Sequence, residues 1–473
     1  MSDWDVICVG AGSAGLPLAI RAAERGAKVL QLEADGRIGG TLHYTAGQFS
    51  AAGTRLQKSL GIDDSPDEHF ADAQRIAHGT IDPLVLRLCV DNAAAMVDWL
   101  EDIGFTFAPG MPVAGEAHEA YRTRRYQWGT SMGLSILETL RPLHDKLIAA
   151  GKIDLRLKHR MRSLMTDASG TALGVRVEGP DGKELEFRGR NIVLTTGGYA
   201  AGPDVWKELT PQFPLCSYAS PMARGDGIVA AKAMGAQVGY GENYLTTFAG
   251  VLNDESNPCS GGFLGLSPKS RTIWEIFVDA NGKRFMREDH PSIDYRERQL
   301  LRQPGTAMSV VFDEGILQNA PPFAAPPGSS PSAGLRAKLG NHPRFLKADT
   351  LDELAAKLGV PAANLKKTVA DYNAAVDAQS DPEFGRQFLI RRIEKAPFYA
   401  IRAQGITVVS PAGLAVNDRL QVLKGDGVAI PNLYAAGEIL GMGRTSGNAF
   451  VGGLSLTPAL TFGKMLGERL LSW

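Results

Sequence analysis

Apolar and glycine-rich segments alternate over the first forty residues in a readable order. Asp5–Val9 is a short apolar run rich in β-branched side chains, which predicts a strand buried on both faces. After a glycine-rich turn, apolar residues recur at helical spacing in Leu16–Arg25, and Gly26 ends that helix. A second apolar run, Lys28–Leu32, predicts a strand that closes on Glu33. The order of these segments predicts a β-α-β unit.

The first turn of this unit reads Gly-x-Gly-x-x-Gly, with glycines at Gly10, Gly12 and Gly15. The first glycine permits a tight turn, the second lets the backbone approach a pyrophosphate, and the third lets helix and strand pack closely. The helix N-terminus then offers N–H groups to the phosphates. Glu33 would accept hydrogen bonds from an adenosine ribose and disfavours a 2′-phosphate. A glycine-rich turn without a ligand is the alternative, but all the parts of a dinucleotide site occur here in the right order.

The middle of the chain has a different pattern. From about residue 241 to 395, turns alternate with strand-like pieces such as Ile273–Val278. Thr350 is a plausible N-cap for an amphipathic helix, and Leu365–Ala374 predicts another helix. Pro321–Ser332 is rich in proline, glycine and serine, which predicts an exposed loop.

Composition narrows the class of protein. Apolar residues make up 44% of the 473 residues, enough for a sizeable core. The 50 basic and 51 acidic residues nearly cancel, which gives no general attraction for nucleic acid or an anionic membrane. The N-terminus lacks a basic segment and no apolar run reaches ~18 residues, so we expect neither a signal peptide nor a membrane span. Glycine, at 54 residues, exceeds its usual share of roughly 7%.

The four cysteines exclude some further chemistry. They are far apart and none has Cys-x-x-Cys spacing, which argues against a zinc knuckle and a haem-attachment motif. We therefore expect no metal site and no haem domain. Reduced thiols favour a cytoplasmic protein. The four positions are Cys8, Cys89, Cys216 and Cys259.

The segments that follow Glu33 resemble a known flavoprotein family. Gly39-Gly40-Thr41 and Ala46-Gly47 come next. They are similar to the fumarate reductase/succinate dehydrogenase flavoprotein family, which also holds the 3-ketosteroid dehydrogenases. The resemblance implies that this stretch wraps the pyrophosphate and ribityl chain of FAD. Some members of this family attach FAD covalently to a histidine. The corresponding position in this chain is Thr41, and His43 lies two residues beyond it. We therefore expect noncovalent FAD.

Other segments carry the same resemblance. Leu157–Met161 is similar to a strand whose last residue meets the adenine, Asn191–Tyr199 to a strand that ends in Thr-Thr-Gly-Gly, and Gly225-Asp226-Gly227 to the start of a family helix. Pro431–Glu438 resembles the strand whose acid holds the ribityl hydroxyls. Gly452–Gly463 resembles the last helix, whose N-terminus meets the flavin. The cofactor-binding residues implied are Gly10, Gly12, Ser13, Ala14, Gly15, Glu33, Ala34, Gly39, Gly40, Thr41, Ala46, Gly47, Met161, Thr195, Thr196, Gly197, Gly198, Asp226, Glu438, Ser455 and Leu456.

The resemblance implies an α/β fold of two domains. A Rossmann-like FAD-binding domain of the glutathione reductase type would occupy residues 1–240 and 396–473. An inserted α+β cap domain would occupy residues 241–395. In this family the substrate lies between flavin and cap, and a hydride passes between the flavin N5 and an activated carbon.

The two branches of the family differ in their catalytic residues, and this chain has the complete set of neither. Arg444 to Ala449 resembles the Arg-x-x-Gly-Asn-Ala of the fumarate branch, so Arg444 could bind a carboxylate or carbonyl oxygen. The histidine pair of that branch appears here as Thr407-Val408, which makes fumarate itself an unexpected substrate. Gly452–Gly463 looks more like the ketosteroid branch, but Ala449 stands where that branch carries its catalytic tyrosine.

Four residues are candidates for catalysis, each with a structural alternative. Tyr121 and Tyr126 flank a basic run, and a neighbouring cation can lower the pKa of a phenol enough for it to act as a base. Either tyrosine could instead pack with its hydroxyl hydrogen-bonded. Tyr295 could lie on a solvated helix face, and Arg444 could form a structural ion pair.

The sequence therefore predicts an FAD-dependent dehydrogenase that forms an activated C=C bond in a cyclic or otherwise apolar ketone or acid. The alternative is a fumarate reductase-like enoate or enone reductase, and a flavin-binding protein without chemistry is a third possibility. Each enzyme would need a small-molecule substrate and an external electron acceptor or donor. The substrate, the direction and the oligomeric state are left open by the sequence.

Overall fold

The computed structural model describes residues 3–115, 118–321 and 331–472. The chain forms two compact units. The first contains Met1–Pro211, Ala219–Tyr244 and Val409–Trp473, and the second contains Gln212–Tyr218 and Leu245–Val408. Of the predicted loop Pro321–Ser332, residues 322–330 lie outside the described part of the chain.

The N-terminal part of the first unit contains nine strands and seven α-helices among its described residues. The strands are β1 (Trp4–Val9), β2 (Val29–Leu32), β3 (Phe49–Ser50), β4 (Tyr126–Gln127), β5 (Ile153–Arg156), β6 (Arg160–Thr166), β7 (Ala172–Glu178), β8 (Glu184–Leu194) and β9 (Val238–Gly239). The helices are α1 (Gly15–Glu24), α2 (Arg55–Ser59), α3 (Pro66–Ile76), α4 (Pro83–Asp102), α5 (Gly133–Ala149), α6 (Pro203–Leu209) and α7 (Asp226–Ala233). The predicted β-α-β unit is confirmed within one residue at every boundary.

The second unit is built on an antiparallel sheet. Its strands are β10 (Thr247–Leu252), β11 (Gly261–Phe263), β12 (Ile276–Val278), β13 (Ala307–Asp313), β14 (Phe345–Ala348) and β15 (Phe398–Ile406). Its helices are α8 (Ile293–Leu301), α9 (Glu314–Asn319), α10 (Pro331–Lys338), α11 (Leu351–Leu358) and α12 (Ala362–Ala378). The sheet order is β11-β10-β15-β13-β12, with β14 also paired to β15. Thr350 caps α11 as expected, because its side chain accepts a hydrogen bond from the Glu353 N–H at 3.1 Å.

Among the described residues after the second unit, three strands and two α-helices complete the first unit. They are β16 (Gly413–Leu414), β17 (Gln421–Leu423), β18 (Ala429–Ala435), α13 (Met442–Thr445) and α14 (Thr457–Arg469). The main sheet has the order β17-β18-β8-β1-β2-β5, and β6 and β7 extend it as a meander from β8. Strands β18, β8, β1, β2 and β5 run parallel, so their carboxyl ends meet at one edge. A ligand in such a sheet binds outside that edge.

Helices α1 and α14 pack closely because glycines remove the side chains between them. A Cβ at Gly463 would collide with the carbonyl oxygen of Ala14, and one at Gly467 would lie 2.6 Å from the carbonyl oxygen of Leu18. The apolar residues of the two helices, including Leu16, Ile20 and Leu460, share one buried cluster. The C-terminal helix therefore supports the turn that precedes α1. No helix in the described ranges is both long and apolar enough to cross a membrane.

Candidate functional site

A cavity in the first unit lies at the carboxyl ends of β1, β2 and β8. It has an empty volume of about 800 Å³, including the part that opens to solvent, and we call it the nucleotide cavity. It brings together segments that are far apart in the sequence. The sequence-predicted residues that line it are Gly10, Gly12, Ser13, Ala14, Glu33, Ala34, Gly40, Thr41, Met161, Thr195, Thr196, Gly197, Asp226 and Glu438.

The first turn of the cavity is held by Glu33. One carboxylate oxygen accepts a hydrogen bond from the Ala11 N–H at 2.8 Å, and the other accepts one from the Asp35 N–H at 2.8 Å. Burial raises the pKa of Glu33, although these two backbone hydrogen bonds favour the charged form. Each carboxylate oxygen can accept a further hydrogen bond. Glu33 therefore orders the turn and can still meet a ligand.

The glycines in the nucleotide cavity and in the turn beside it differ in what surrounds them. A Cβ at Gly10 or Gly15 would collide with the protein backbone, so these two positions serve the turn itself. A Cβ at Gly12 would meet only the Cα of Gly40 at 3.9 Å, and one at Gly197 would meet nothing within 4 Å. The space beside Gly12 and Gly197 is thus left by the protein, as a dinucleotide requires.

Polar groups at the cavity also fit a dinucleotide. The buried hydroxyl of Thr196 has no hydrogen-bond partner in the protein, which is costly for a buried polar atom. Ser13 and Ala14 precede α1, whose N-terminus has no side-chain cap. In its first turn Leu16 and Leu18 already donate their N–H groups, to the carbonyl oxygens of Gly12 at 3.0 Å and of Ala14 at 3.3 Å. The helix N-terminus still carries positive potential. The cavity therefore offers this potential to an anionic group and the Thr196 hydroxyl to a hydrogen-bonding group.

Glu438 lines the far side of the nucleotide cavity. Its Oε1 accepts hydrogen bonds from the backbone N–H of Ser410 at 2.9 Å and from the Ser410 hydroxyl at 3.1 Å. Burial raises the pKa of Glu438 to about 6. A Cβ at Gly198 would collide with this carboxylate, which explains the second glycine of the Thr-Thr-Gly-Gly segment. No motif pointed to Ser410, because its role depends on the fold.

Asp226 is linked to the strand of Met161 by an ion pair with the residue before Met161. Asp226 is the first residue of α7 and forms an ion pair of 2.8 Å with Arg160, which precedes Met161 on β6. The sequence analysis did not single out His159, which also lines the cavity. Its backbone N–H donates to the Glu33 carbonyl oxygen at 2.8 Å. The sequence feature that could have pointed to His159 is its position two residues before Met161.

Some predicted cofactor residues lie outside the nucleotide cavity. They are Gly15, Gly39, Ala46, Gly47, Gly198, Ser455 and Leu456. The Leu456 N–H already donates to the Gly453 carbonyl oxygen at 3.0 Å, and Ser455 is exposed. His43 shares a hydrogen bond of 2.9 Å with the Ile38 carbonyl oxygen.

A second cavity in the first unit contains two of the catalytic candidates. Tyr121, Tyr126 and Gly452 line it, together with Phe450 and His118, whose rings stack 4.1 Å apart. Its empty volume is about 570 Å³, and we call it the tyrosine cavity. The structure thus places both tyrosines against Gly452, the first of the two glycines that precede α14.

The hydroxyl of Tyr121 is part of a buried network. It donates to the Gly452 carbonyl oxygen at 2.5 Å and shares a hydrogen bond of 3.2 Å with Ser50, whose hydroxyl lies 3.3 Å from Nε2 of His69. Although the Arg125 guanidinium lies 5.1 Å from the Tyr121 ring, burial dominates and raises the pKa of Tyr121. This direction is opposite to the lowering that we expected from the basic run.

Tyr126 lies on β4 with its ring edge-on to Trp128 at 5.5 Å. A Cβ added to Gly452 would approach the Tyr126 ring at 3.3 Å, so ring and glycine are in close contact.

Tyr295 belongs to the second unit, where its hydroxyl accepts a hydrogen bond from the Arg287 N–H at 3.4 Å and its ring stacks on His290 at 4.0 Å. Tyr295 is half-buried rather than on a solvated face.

Arg444 is buried in α13 and forms an ion pair with Asp82. Its guanidinium lies over the Tyr240 ring, 4.4 Å from the centroid. Arg444 is not among the described residues that line either cavity. Asp82 was not predicted from the sequence, since the two residues are 362 positions apart.

These features define a dinucleotide-binding protein, and the family comparison identifies the dinucleotide. A family model described as "FAD binding domain" matches residues 5–456. The chain therefore belongs to this family, FAD is its cofactor, and it is an FAD-dependent oxidoreductase. The family, fold class and cofactor predicted from the sequence are confirmed.

Individual comparisons find reductases that are similar in sequence and a ketosteroid dehydrogenase that shares the fold. A fumarate reductase (cytochrome) of Shewanella frigidimarina is 29% identical over 472 residues, which cover 98% of this chain and 76% of that protein. A vinyl phenol reductase of Lactiplantibacillus plantarum is 27% identical, over 92% of this chain and 90% of that protein. The structure of a 3-ketosteroid Δ1-dehydrogenase from Sterolibacterium denitrificans has the same fold, with a TM-score of 0.72, 20% identity and 99% coverage of each chain.

Proposed function

We propose that this protein moves a hydride between FAD and a carbon of a C–C or C=C bond that a ketone or carboxylate activates, in a cyclic or otherwise apolar small molecule. The tyrosine cavity is the observation that carries this proposal. Its lining is mainly aromatic and apolar, and two tyrosines are part of it. A planar apolar substrate fits such a lining, and a phenol can hold or release the proton that accompanies hydride transfer.

FAD, when bound, supplies the two-electron redox chemistry. We propose that the turn from Gly10 to Gly15 and the N-terminus of α1 bind its pyrophosphate, that Glu33 binds the adenosine ribose, and that Met161 meets the adenine. Glu438 binds the ribityl hydroxyls, held in place by Ser410. The open sides of Gly12 and Gly197 and the unpartnered hydroxyl of Thr196 support this assignment.

Among the four catalytic candidates, Tyr126 is the residue that we propose as the proton donor or acceptor. Its ring lines the tyrosine cavity in contact with Gly452. Tyr121 positions the Gly452 carbonyl, because its own proton is already donated there. Arg444 acts through its ion pair with Asp82, and Tyr295 orders the Arg287 backbone in the second unit.

The direction of the reaction has two candidates. Dehydrogenation follows from the likeness of Gly452–Gly463 to the ketosteroid branch. Reduction by an external electron donor is the second candidate, and it is supported by the reductases among the relatives. The four cysteines are free, which supports a cytoplasmic location and an electron carrier from that compartment.

Anaerobic mixing tests the reaction and its direction. A dehydrogenase bleaches the flavin absorbance with saturated cyclic ketones or keto acids, whereas a reductase shows reoxidation of the prereduced protein by unsaturated analogues. Tyr126→Phe should slow the reaction by about 100-fold or more while FAD stays bound, because a positioned acid or base contributes on that scale. No spectral change in either direction across a broad panel would overturn the proposal.

We also propose that FAD is held without a covalent bond, which is consistent with the engagement of His43 by Ile38. Acid precipitation should leave the yellow colour in the supernatant. A yellow pellet would contradict this.

A further inference from the structure

All four residues of β2 are buried, yet one of them is polar. Gln31 lies between Leu30 and Leu32 with its side chain fully removed from water. A buried amide is costly unless its donor and acceptor groups have partners. The partners of the Gln31 amide therefore indicate what it does inside the first unit.

The amide of Gln31 contacts both ends of the glycine-rich turn of the nucleotide cavity. Its Nε2 donates to the carbonyl oxygen of Gly15 at 3.0 Å and to that of Gly10 at 3.4 Å. A carbonyl oxygen can only accept a hydrogen bond, so the NH2 group of the amide must face the two glycines. Gln31 thereby joins β2 to the first and last glycine of the turn.

The orientation of this amide determines which nitrogen of a buried histidine carries a proton. With its NH2 group toward the glycines, Gln31 turns its Oε1 toward Nε2 of His144 on α5, at 2.6 Å. Because an amide oxygen only accepts, Nε2 of His144 must carry the proton and donate it. Gln31 therefore has a donor from α5 on one side and acceptors from the turn on the other.

The other nitrogen of the His144 ring agrees with this assignment. Burial lowers the pKa of His144 to about 4, so the ring is neutral near pH 7 and has a single N–H. Nδ1 is buried and has no hydrogen-bond partner among the described residues. With the proton on Nε2, Nδ1 has no N–H, and no buried donor is left unpaired.

Two residues of neighbouring strands also contact the turn. The Thr195 hydroxyl lies 3.0 Å from the Gly10 carbonyl oxygen, and the Cys8 thiol lies 3.3 Å from it. At Gly15 the Cys8 thiol is more distant, at 3.6 Å, so the hydrogen bond from Gln31 is the shorter one there. Gly15 therefore depends on Gln31 more than Gly10 does.

We infer that Gln31 and His144 are positioning residues for FAD, because they hold the glycine-rich turn in one conformation. Gln31 fixes both ends of the turn, and His144 keeps the oxygen of the Gln31 amide away from the glycine carbonyls. A turn that is already ordered binds its ligand without the entropic cost of ordering. The inference rests on the proposed binding of the FAD pyrophosphate by this turn.

Titration of the whole chain with FAD, after the cofactor has been removed, tests the role of Gln31. Gln31→Met keeps the length of the side chain and removes the amide. The Kd of FAD should rise by about tenfold, since the net contribution of a hydrogen bond is of that order.

Gln57→Met is the matched control. Gln57 is a buried glutamine of the first unit whose Nε2 donates to the Arg124 carbonyl oxygen at 2.9 Å. It is not among the described residues that line the nucleotide cavity. This variant should lose stability while the Kd of FAD stays unchanged.

The role of His144 has two tests of its own. His144→Leu should raise the Kd of FAD by about threefold or more, because the Gln31 amide loses the donor that orients it. His144→Gln should restore most of the affinity, since a glutamine NH2 group can replace the Nε2–H donor. In the 15N NMR spectrum of the labelled wild-type holoprotein at about pH 7, His144 should show a protonated Nε2 and an unprotonated Nδ1.

An unchanged Kd in Gln31→Met would overturn the inference, and so would an equal rise in Kd in Gln57→Met. A proton on Nδ1 of His144 would also overturn it, and this spectrum and His144→Leu provide a test even if Gln31→Met is unstable. Loss of FAD in Gly12→Val with full affinity in Gln31→Met would remove only the positioning role. Full affinity in both variants would remove the proposed binding of FAD by the turn as well.

Discussion

At the scale of single residues, the charge state of the site is set by burial. Glu33 and Glu438 both carry raised pKa values for this reason, and both keep hydrogen bonds that favour the ionised form. Tyr121 is kept protonated by the same effect, although a guanidinium lies close to its ring. A basic run in the sequence therefore says little about the pKa of a neighbouring phenol until its exposure is known.

Glu438→Gln should change the pH dependence of the apoprotein. The carboxyl has a folded-state pKa of about 6, above its usual 4.5, so the folded protein binds more protons than the unfolded chain between these values. The contribution of Glu438 to stability therefore falls as pH rises through that window. At pH 7.5 the variant should be more stable than the wild type by about 1 to 2 kcal/mol, and at pH 4 the difference should vanish.

Urea unfolding at the two pH values measures this difference. The same variant should bind FAD more weakly, because it lacks the charged acceptor that we propose for the ribityl hydroxyls. A difference in stability that does not depend on pH would contradict the prediction.

Gly12→Val should abolish FAD binding and leave the fold intact. The protein itself leaves room beside Gly12, so the side chain would occupy the space that we assign to the cofactor rather than displace backbone. The measurement is the FAD-to-protein ratio after gel filtration, with circular dichroism for the fold. Gly425→Val, at an exposed turn with nothing within 4 Å, is the control and should retain FAD. Retention of FAD by Gly12→Val would refute the assignment of the cavity.

At the scale of elements, the β1-α1-β2 unit and α14 together hold the glycine-rich turn that precedes α1. The turn before α1 is held by Glu33 on one side and by α14 on the other, where glycine lets the helices approach. The Thr457 hydroxyl accepts from the Ser50 N–H at 2.8 Å and donates to its carbonyl at 3.1 Å, which ties α14 to β3. The N-terminal and C-terminal parts of the chain thus build the same edge of the sheet.

Gly463→Ala should destabilise the protein by about 1 to 3 kcal/mol, because its Cβ would collide with the Ala14 carbonyl and overpack the α1–α14 contact. It should also weaken FAD binding, since Ala14 lines the nucleotide cavity. Thermal unfolding and FAD titration measure the two effects. Gly334→Ala on α10, where the Cβ meets nothing within 4 Å, should stabilise slightly or have no effect. Equal outcomes for the two variants would show that the close helix contact is not required.

At the scale of the whole molecule, the two units carry different cores. The first unit is a parallel sheet with a meander, and the second is an antiparallel sheet with its own buried cluster of apolar residues. The sequence placed the insert at residues 241–395, whereas the compact second unit contains Leu245–Val408 together with Gln212–Tyr218. The short segment 212–218 joins the second unit through backbone contacts, such as Ser217 with Thr407, that no local pattern reveals.

Adding FAD to the apoprotein should slow hydrogen exchange mainly in the first unit. The described residues that line the nucleotide cavity all belong to that unit, so amides of β1, β2 and β8 should gain protection. At about 100 times the Kd, ligand linkage amounts to about 2.7 kcal/mol, or about a 100-fold slower exchange. Amides of β13 and β15 serve as the internal control. Equal protection in both units would contradict the local character of the effect.

The sequence by itself determined the β-α-β unit, its glycine-rich turn, Glu33 and the flavoprotein family. These features depend on neighbours a few residues apart, where apolar periodicity and turn chemistry act directly. Helix α11 with its cap at Thr350 was predictable for the same reason. The cofactor could therefore be predicted well before any packing was known.

Only the tertiary structure decided which polar and charged groups contact one another in the interior. Tyr121 and Gly452 are 331 positions apart, and Arg444 and Asp82 are 362 apart, yet each pair is in direct contact. Such contacts arise from the long-range packing of buried elements, and the low dielectric inside makes each of them decisive for charge and pKa. Whether an arginine is free for a substrate or already paired within the protein is therefore a property of the fold.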